Sequence, residues 1–123
     1  MKTIKIITDK VTATAELNES ETAKAIWDAL PLKCNANRWG DEIYFAIPVK
    51  MKEDASAKAD VEVGDLAYWA PGNAFCIFWG PTPASHNEQP RAASPVNLIG
   101  RIVGDATKFR SVKSGSQILV ERV

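Results

Sequence analysis

The sequence predicts a mainly β protein, in the form of a single closed antiparallel β-barrel with one main α-helix. Seven or eight short segments are rich in β-branched and aromatic residues, and turn-forming residues separate them. One segment alone has the apolar spacing of an amphipathic helix. The 123 residues contain no repeat and no low-complexity linker, so residues 1–123 are expected to form one domain. A closed barrel is favoured because closure leaves no exposed strand edge.

The chain is expected to open with a β-hairpin made by residues 3–8 and 11–17, with Asp9 and Lys10 in the turn. In the second of these segments apolar and polar side chains alternate, which is the period of a half-buried strand. The apolar set is Val11, Ala13, Ala15 and Leu17, and the polar set is Thr12, Thr14 and Glu16.

The one predicted helix follows this hairpin. Asn18 is expected to cap it, with Glu21 three residues later in a variant of the capping box. Apolar residues then recur at helical spacing until Pro31 stops the helix; they are Ala23, Ile26, Trp27 and Leu30. Because tryptophan is large and costly to expose, we expect Trp27 to pack into the core.

A Gly-Asp turn at residues 40–41 leads into the next predicted strand. Alternation along it assigns Ile43, Phe45, Ile47 and Val49 to the core face, and Glu42, Tyr44 and Ala46 to the other face. The following residues 50–60 are polar and rich in alanine, which fits either a mobile loop or an irregular edge, and the loop is favoured.

Two further strands are predicted around the turns at residues 64–65 and 71–73, and others at 95–104 and 117–123. The run 74–79 is apolar without interruption, which is typical of a strand buried on both faces. It ends in a loop with prolines at positions 81, 83, 90 and 95. These prolines hold a long connection in one extended shape, so the loop is expected to form a cleft wall. The alternative is a rigid surface loop that only blocks edge pairing.

Charge and composition exclude several classes of partner. Fifteen acidic and fifteen basic residues balance at a pI of about 6.6, so nucleic acid and anionic membranes are not expected as partners. No segment has the apolar length of a signal core or a membrane span. We therefore expect a cytoplasmic protein in which Cys34 and Cys76 are packed, reduced thiols.

Three blocks of sequence, "RWGDEIYFAIPV", "VEVGDLAYWAPGNAFCIFWGPTPAS" and "ASPVNLIGRIVGD", resemble the small prokaryotic cyclophilin-like proteins, a family of unknown function. The resemblance implies a compact cyclophilin-type β-barrel, related in fold to the peptidyl-prolyl isomerases, with no settled activity. True cyclophilins carry a Phe-His-Arg run on a barrel strand, whose arginine polarises the prolyl amide. The strand most similar to it here, residues 43–48, contains no arginine, so the isomerase signature is missing. Arg38 or Arg91 would have to replace it from a loop.

The candidate binding residues cluster at strand ends. Trp39, Trp69 and Trp79 each lie within two residues of a glycine or proline at the end of a strand, where pocket walls form. Glu42 and Tyr44 share a face beside Arg38, which indicates either a solvated surface with an Arg–Glu pair or the polar part of a pocket. The predicted ligand groove consists of Arg38, Trp39, Glu42, Tyr44, Trp69, Ser94 and Asn97.

Two of these residues also have a structural interpretation. Ser94 is either a turn hydroxyl that satisfies backbone groups or a donor at the edge of the cleft. The Asn97 amide points away from the neighbouring apolar side chains, either into the groove or toward loop backbone that it bridges.

No catalytic or metal-binding motif is evident. His86 has polar neighbours and no nucleophile or ligand beside it, so a surface loop position is expected. Ser85 and Ser94 lack the context of an activated nucleophile. One histidine and two separated cysteines leave any metal site to carboxylates, which have no calcium-loop spacing here, so neither metal nor cofactor is expected.

The sequence thus favours a binding module that holds a peptide or a small metabolite in a groove on the barrel. Whether the protein is an enzyme stays open. One alternative is a weak peptidyl-prolyl isomerase that uses Arg38 or Arg91. Another is a subunit that acts only beside a protein partner in a larger complex.

Overall fold

A computed structural model describes residues 2–123, which form ten strands, one α-helix and two short 3₁₀ helices. The strands are β1 (Lys2–Ile7), β2 (Thr12–Leu17), β3 (Leu32–Asn35), β4 (Asn37–Arg38), β5 (Glu42–Ala46), β6 (Lys58–Asp60), β7 (Asp65–Trp69), β8 (Ala74–Phe78), β9 (Arg91–Val103) and β10 (Gln117–Arg122). The helix is α1 (Glu21–Ala29), and the 3₁₀ helices are η1 (Ala70–Gly72) and η2 (Ala106–Ser111). The predicted mainly β architecture with one main helix is confirmed.

All strand pairs are antiparallel, in the order β3-β10-β1-β2-β9-β7-β8-β5-β4, and β6 pairs with β9 beside this path. The expected closed barrel is not confirmed, because no ladder within residues 2–123 joins β3 to β4. The two edges are linked instead by one residue, Ala36, which is buried and whose N–H donates to the Ser116 carbonyl oxygen at 2.8 Å. The edge strands β3 and β4 are therefore joined through the chain at Ala36 and not by a ladder of backbone hydrogen bonds.

The opening hairpin forms as predicted, with β1 and β2 in register from Lys2 opposite Leu17 to Ile7 opposite Thr12. Alternate residues of β2 are buried and exposed, as the period of two required. β1 is central, since β10 pairs along its other edge. Its side chains Ile4 and Ile6 are fully buried in the main core.

The helix differs from the prediction at its start and on one face. Ser20, not Asn18, is the N-cap, and its hydroxyl accepts from the Ala23 N–H at 3.1 Å. Asn18 lies two residues earlier, where its amide donates to the Leu98 carbonyl oxygen at 2.9 Å. Ile26 is fully buried, but Trp27 is only half-buried, so its expected place inside the core was wrong.

Trp27 instead lies under two cations at the edge of the core. The Arg122 guanidinium is 4.8 Å from its ring centroid and the Lys2 Nζ is 5.9 Å away. The Arg122 guanidinium also donates two hydrogen bonds to the Trp27 carbonyl oxygen. Long cationic side chains that cover an aromatic ring remove much of the cost of its exposure.

Other differences concern short strands. β3 and β4 fall in residues 32–38, where the sequence predicts a polar connector and no strand. β6 makes residues 58–60 an irregular edge, so the predicted loop extends only to residue 57. β9 begins at Arg91, four residues earlier than expected, and therefore includes Pro95. No helix within residues 2–123 is long and apolar enough to cross a lipid bilayer.

Candidate functional site

The strand β8 is buried on both faces, as its apolar run predicted. Phe75 and Ile77 belong to the main core, where Phe75 stacks on Phe45 with ring centroids 5.1 Å apart. The intervening Ala74, Cys76 and Phe78 belong to a second apolar cluster on the other side of the sheet. The sheet therefore separates two cores.

The second cluster forms because the start of β9, the strand β6 and the end of the proline-rich loop fold over the outer face of β5, β8 and β7. Val61, Ala92 and Val96 are its buried contributors from these segments, and Tyr44 and Trp69 are half-buried at its margin. The covering segment does not reach the whole face. A cavity of about 270 Å³ is left between it and the sheet.

The lining of this cavity is apolar and aromatic with a single carboxyl group. It consists of Trp39, Glu42, Tyr44, Trp69, Cys76, Ala92, Ala93 and Val96. Four of the seven predicted groove residues, Trp39, Glu42, Tyr44 and Trp69, thus lie together in one pocket.

A tight turn places Trp39 opposite Glu42. Their backbones exchange two hydrogen bonds, at 3.0 and 3.2 Å, around the predicted Gly40-Asp41 turn. Gly40 has a φ of +61°, and a Cβ there would lie 2.8 Å from the Thr82 Cα. Glycine is therefore required both by the turn conformation and by the close approach of the loop.

Glu42 is the buried acid of the pocket, with 5% of its surface exposed. Burial raises the pKa of its carboxyl from 4.5 to about 7, and the nearby Cys76 thiol opposes this rise without cancelling it. The pKa of the Cys76 thiol is itself raised well above its usual range by burial and by the neighbouring carboxylate. At neutral pH the pocket therefore holds a protonated thiol and a carboxyl group poised between its two states.

Trp69 is held in one orientation at the pocket margin. Its Nε1–H donates to the Ser94 hydroxyl at 2.7 Å, and its ring packs over the backbone at Gly72. Ser94 does not line the pocket, but it is the residue that fixes this wall.

Asn97 is buried and its amide links two other segments. Its Nδ2 donates to the Thr22 hydroxyl at 3.1 Å and to the Lys52 carbonyl oxygen at 2.9 Å, and its Oδ1 accepts from the Asp54 N–H at 2.9 Å. Of the two interpretations of Asn97, the contacts match the bridge to loop backbone.

Arg38 points away from the pocket. Its guanidinium donates to the carbonyl oxygens of Gly40 at 2.9 Å and Arg110 at 2.7 Å, and lies 5.1 Å from the ring centroid of Trp79. It pairs with Asp41 at 3.3 Å, so the Arg–Glu pair considered from the sequence is not formed. Arg38 fastens η2 to the β4–β5 turn.

The remaining candidates lie outside the pocket. Trp79 is a core residue, 3% exposed and packed on Phe109, and not a pocket wall. Arg91 pairs with the exposed Asp60 at 2.6 Å. His86 is exposed in the loop, as predicted. Ala92 and Ala93, near the end of the predicted proline loop, do line the pocket together with Val96, but the structure places all three on β9.

Neither Cys76 nor these three β9 residues were individually predicted from the sequence to line the pocket. The alternation of β8 contains a signal for Cys76, because it lies directly opposite Tyr44 in the β5–β8 register. The β9 residues gave no comparable signal, since small residues after a proline-rich segment are typical of a loop.

A family model and a solved structure are similar to this chain. The family model described as Cyclophilin-like matches residues 2–121. The solution structure of the hypothetical protein AF2241 from Archaeoglobus fulgidus is 45% identical, with a TM-score of 0.85, over 99% of this chain and 95% of that chain. No curated protein matches. The archaeal neighbour is itself described as hypothetical, so it transfers a fold and no activity.

The buried carboxyl of Glu42 predicts a pH-dependent stability. Between about pH 4.5 and pH 7 the unfolded chain loses this proton while the folded chain retains it, so the free energy of unfolding falls as pH rises. The full loss is about 3 kcal/mol, and it ends above pH 7. Denaturation between pH 4 and pH 8 will show this dependence in the wild type and not in Glu42→Gln. Glu88→Gln, at an exposed loop position, should behave as wild type; a Glu42→Gln curve parallel to wild type would contradict the assignment.

Arg38 and Arg91 offer a matched pair, since both side chains are 32% exposed. Arg38→Lys should lower the free energy of unfolding by about 1–3 kcal/mol, because lysine cannot keep the bonds to both carbonyl oxygens and the contact with Trp79. Arg91→Lys should cost under ~1 kcal/mol, since the ion pair with Asp60 is at the surface. Chemical denaturation of both variants measures the difference. Equal losses would remove the structural role assigned to Arg38.

Proposed function

This chain belongs to the cyclophilin-like family, and on that premise we propose that it is a binding protein for a small molecule or one side chain of a peptide. The observation that carries the proposal is the pocket lined by Trp39, Tyr44 and Trp69 around the buried Glu42. Concave apolar sites with a few placed polar groups are the usual form of small-ligand sites. The volume of about 270 Å³ is just below the usual size of such sites, about 300–1,000 Å³, so only a single head group or ring fits.

The construction of the pocket supports this proposal. A buried carboxyl without a charged partner costs stability, and the pocket retains one in a wall that is otherwise apolar. Buried ionisable groups that lower the stability of a protein are concentrated at functional sites. Ser94 orients Trp69 and the Gly40 turn positions Trp39, so the aromatic walls are set before a ligand arrives. A preorganised wall reduces the entropy lost on binding.

The expected cytoplasmic location and the possible protein partner stay predictions. Both cysteines within the described residues are free thiols, which agrees with a reducing compartment.

The binding proposal is tested by a screen of metabolites, amino acids and short peptides against tryptophan fluorescence. A pocket ligand should change the emission, and Trp39→Phe and Trp69→Phe should each remove part of that change. Trp27→Phe is the control, because Trp27 lies on α1 beside β1 and β10, away from the pocket. NMR shifts should map to β5, β8 and the start of β9. Ligands whose shifts map to α1 instead, or a response that depends only on Trp27, would contradict the proposed site.

The isomerase alternative leads to a separate prediction. Rotation about an X-Pro bond has a barrier of ~18–20 kcal/mol, and a catalyst must stabilise the twisted amide more than the planar one. Cyclophilins are held to do this with an arginine, whereas the lining here has a carboxyl group and Arg38 and Arg91 are engaged elsewhere. Since misplacement by ~1 Å costs about 10²-fold, we expect at most about one hundredth of a true cyclophilin's activity.

NMR exchange spectroscopy on an Ala-Pro peptide, with a catalytic amount of protein, measures this activity. A true cyclophilin at equal concentration is the positive control. Fast exchange that disappears in Arg38→Ala or Arg91→Ala would establish the enzyme alternative.

A further inference from the structure

The pocket has a negative charge available and no positive charge to meet it. Glu42 forms no salt bridge within residues 2–123, and no lysine or arginine is among the lining residues. The arginines nearest in sequence or on the covering segment, Arg38 and Arg91, are paired with Asp41 and Asp60. Within residues 2–123, no cationic side chain therefore pairs with the Glu42 carboxylate, and only protonation neutralises its charge.

The walls around Glu42 suit a cation in a second way. Trp39, Tyr44 and Trp69 line the same cavity, and aromatic faces attract ammonium and guanidinium groups, most strongly where water is excluded. The indole N–H of Trp69 is already bonded to Ser94, so this ring acts on a ligand through its apolar surface and not as a donor. An acid among three aromatic rings is the combination that recognises alkylated ammonium groups.

Resting on the proposed binding function, we propose that the pocket takes an organic cation, an ammonium head group held by the Glu42 carboxylate among the three aromatic rings. The cavity volume limits the bound part to one head group with a short stem. A metal ion is not favoured, because the lining offers only the Glu42 carboxylate, the Cys76 thiol and the Tyr44 phenol, and the described residues contain no group of three His, Cys, Asp or Glu side chains that could hold one. The ligand replaces the proton on Glu42, so binding releases a proton near neutral pH.

Few titratable groups interfere with this linkage. Cys76 faces Glu42 from β8 and Tyr44 lies two residues along β5. The pocket-lining residues on β7 and β9 are Trp69, Ala92, Ala93 and Val96, and none of these side chains titrates. Asp41, next to Glu42 in sequence, is paired with Arg38. The pH dependence of cation binding therefore reports the ionisation of Glu42.

Three probes of equal shape and different charge test the proposal: choline, its neutral isostere 3,3-dimethyl-1-butanol, and the anion 3,3-dimethylbutanoate. Each is titrated into the ¹⁵N-labelled full chain while the Trp39 and Trp69 indole signals are followed. At pH 8 choline should bind at least about tenfold more tightly than the neutral isostere, and the anion more weakly than either. Between pH 6 and pH 8 choline affinity should rise about tenfold, as expected for a carboxyl with a pKa of about 7.

Variants separate the charge from the aromatic walls. Glu42→Gln should reduce the preference for choline to the part that the aromatic rings supply and should abolish its pH dependence, while 3,3-dimethyl-1-butanol binds as before. Trp39→Leu keeps the carboxyl and should weaken choline more than the neutral isostere. Glu62→Gln is the matched control, since Glu62 is an exposed acid in an open surface groove that also contains Glu16 and Glu19. It should bind choline as wild type does.

Two results would overturn the cation proposal. If the neutral probe binds in the pocket as tightly as choline, or if Glu42→Gln leaves choline binding intact, the site is apolar and the binding function stands without the cation. If no probe shifts the pocket signals, the cation proposal fails as well. The fluorescence screen then decides separately whether the pocket binds anything.

Discussion

The burial of β8 on both faces is the constraint on which the rest of this structure depends. One face of the strand builds the main core with Phe45 on β5 and Tyr68 on β7. The other face is equally apolar, and in a sheet with one solvated side it would be exposed. A second layer must therefore cover it, and β9, β6 and the end of the proline loop provide that layer. The long connection between β8 and β9 exists to bring this cover back over the sheet.

The pocket follows from the incompleteness of that cover. A layer made of one strand end and small side chains such as Ala92 and Ala93 cannot fill the space above a flat strand, and a cavity remains between the layers. Larger side chains in the covering segment would fill it. The cavity is flanked by tryptophans at strand ends, where the sheet is no longer continuous. Glu42 lies at the first position of β5 and points into this space. Its raised pKa is the electrostatic consequence of the same geometry.

The open edges of the sheet are joined by a different set of interactions. The guanidinium of Arg38, on β4, donates to the carbonyl oxygen of Arg110 in η2, and its backbone N–H donates to the Ser114 hydroxyl at 2.8 Å. Ala36 crosses between the edge strands. These contacts hold η2 near the gap between β3 and β4, where a closed barrel would have a ladder of backbone hydrogen bonds. Charge, hydrogen bonds and one covalent connection thus replace a continuous strand pairing, and they leave Arg38 no freedom to act in the pocket.

The sequence by itself determined the strands whose side chains alternate, the position of the helix, the Gly40-Asp41 turn and the shared face of Glu42 and Tyr44. These features are local, because backbone period and turn chemistry depend on residues a few positions apart. It also identified Trp39 and Trp69 as pocket walls from their places at strand ends, but the same argument wrongly included Trp79, which is buried in the core. The resemblance of the three sequence blocks indicated the family, because the alternation of apolar and polar side chains does not identify a family.

Only the tertiary structure decided which partners those residues meet. Arg38 pairs with Asp41 and not with Glu42. Trp27 packs at the margin of the core with Arg122 over its ring, and does not lie inside the core. Ser20 replaces Asn18 at the helix start, and Asn18 is bonded to Leu98. Each of these contacts joins segments tens of residues apart or competes with a near neighbour of similar propensity. The burial of Glu42 belongs to the same class. The desolvation that raises its pKa comes from residues of β8 and β9, which only the fold brings to it.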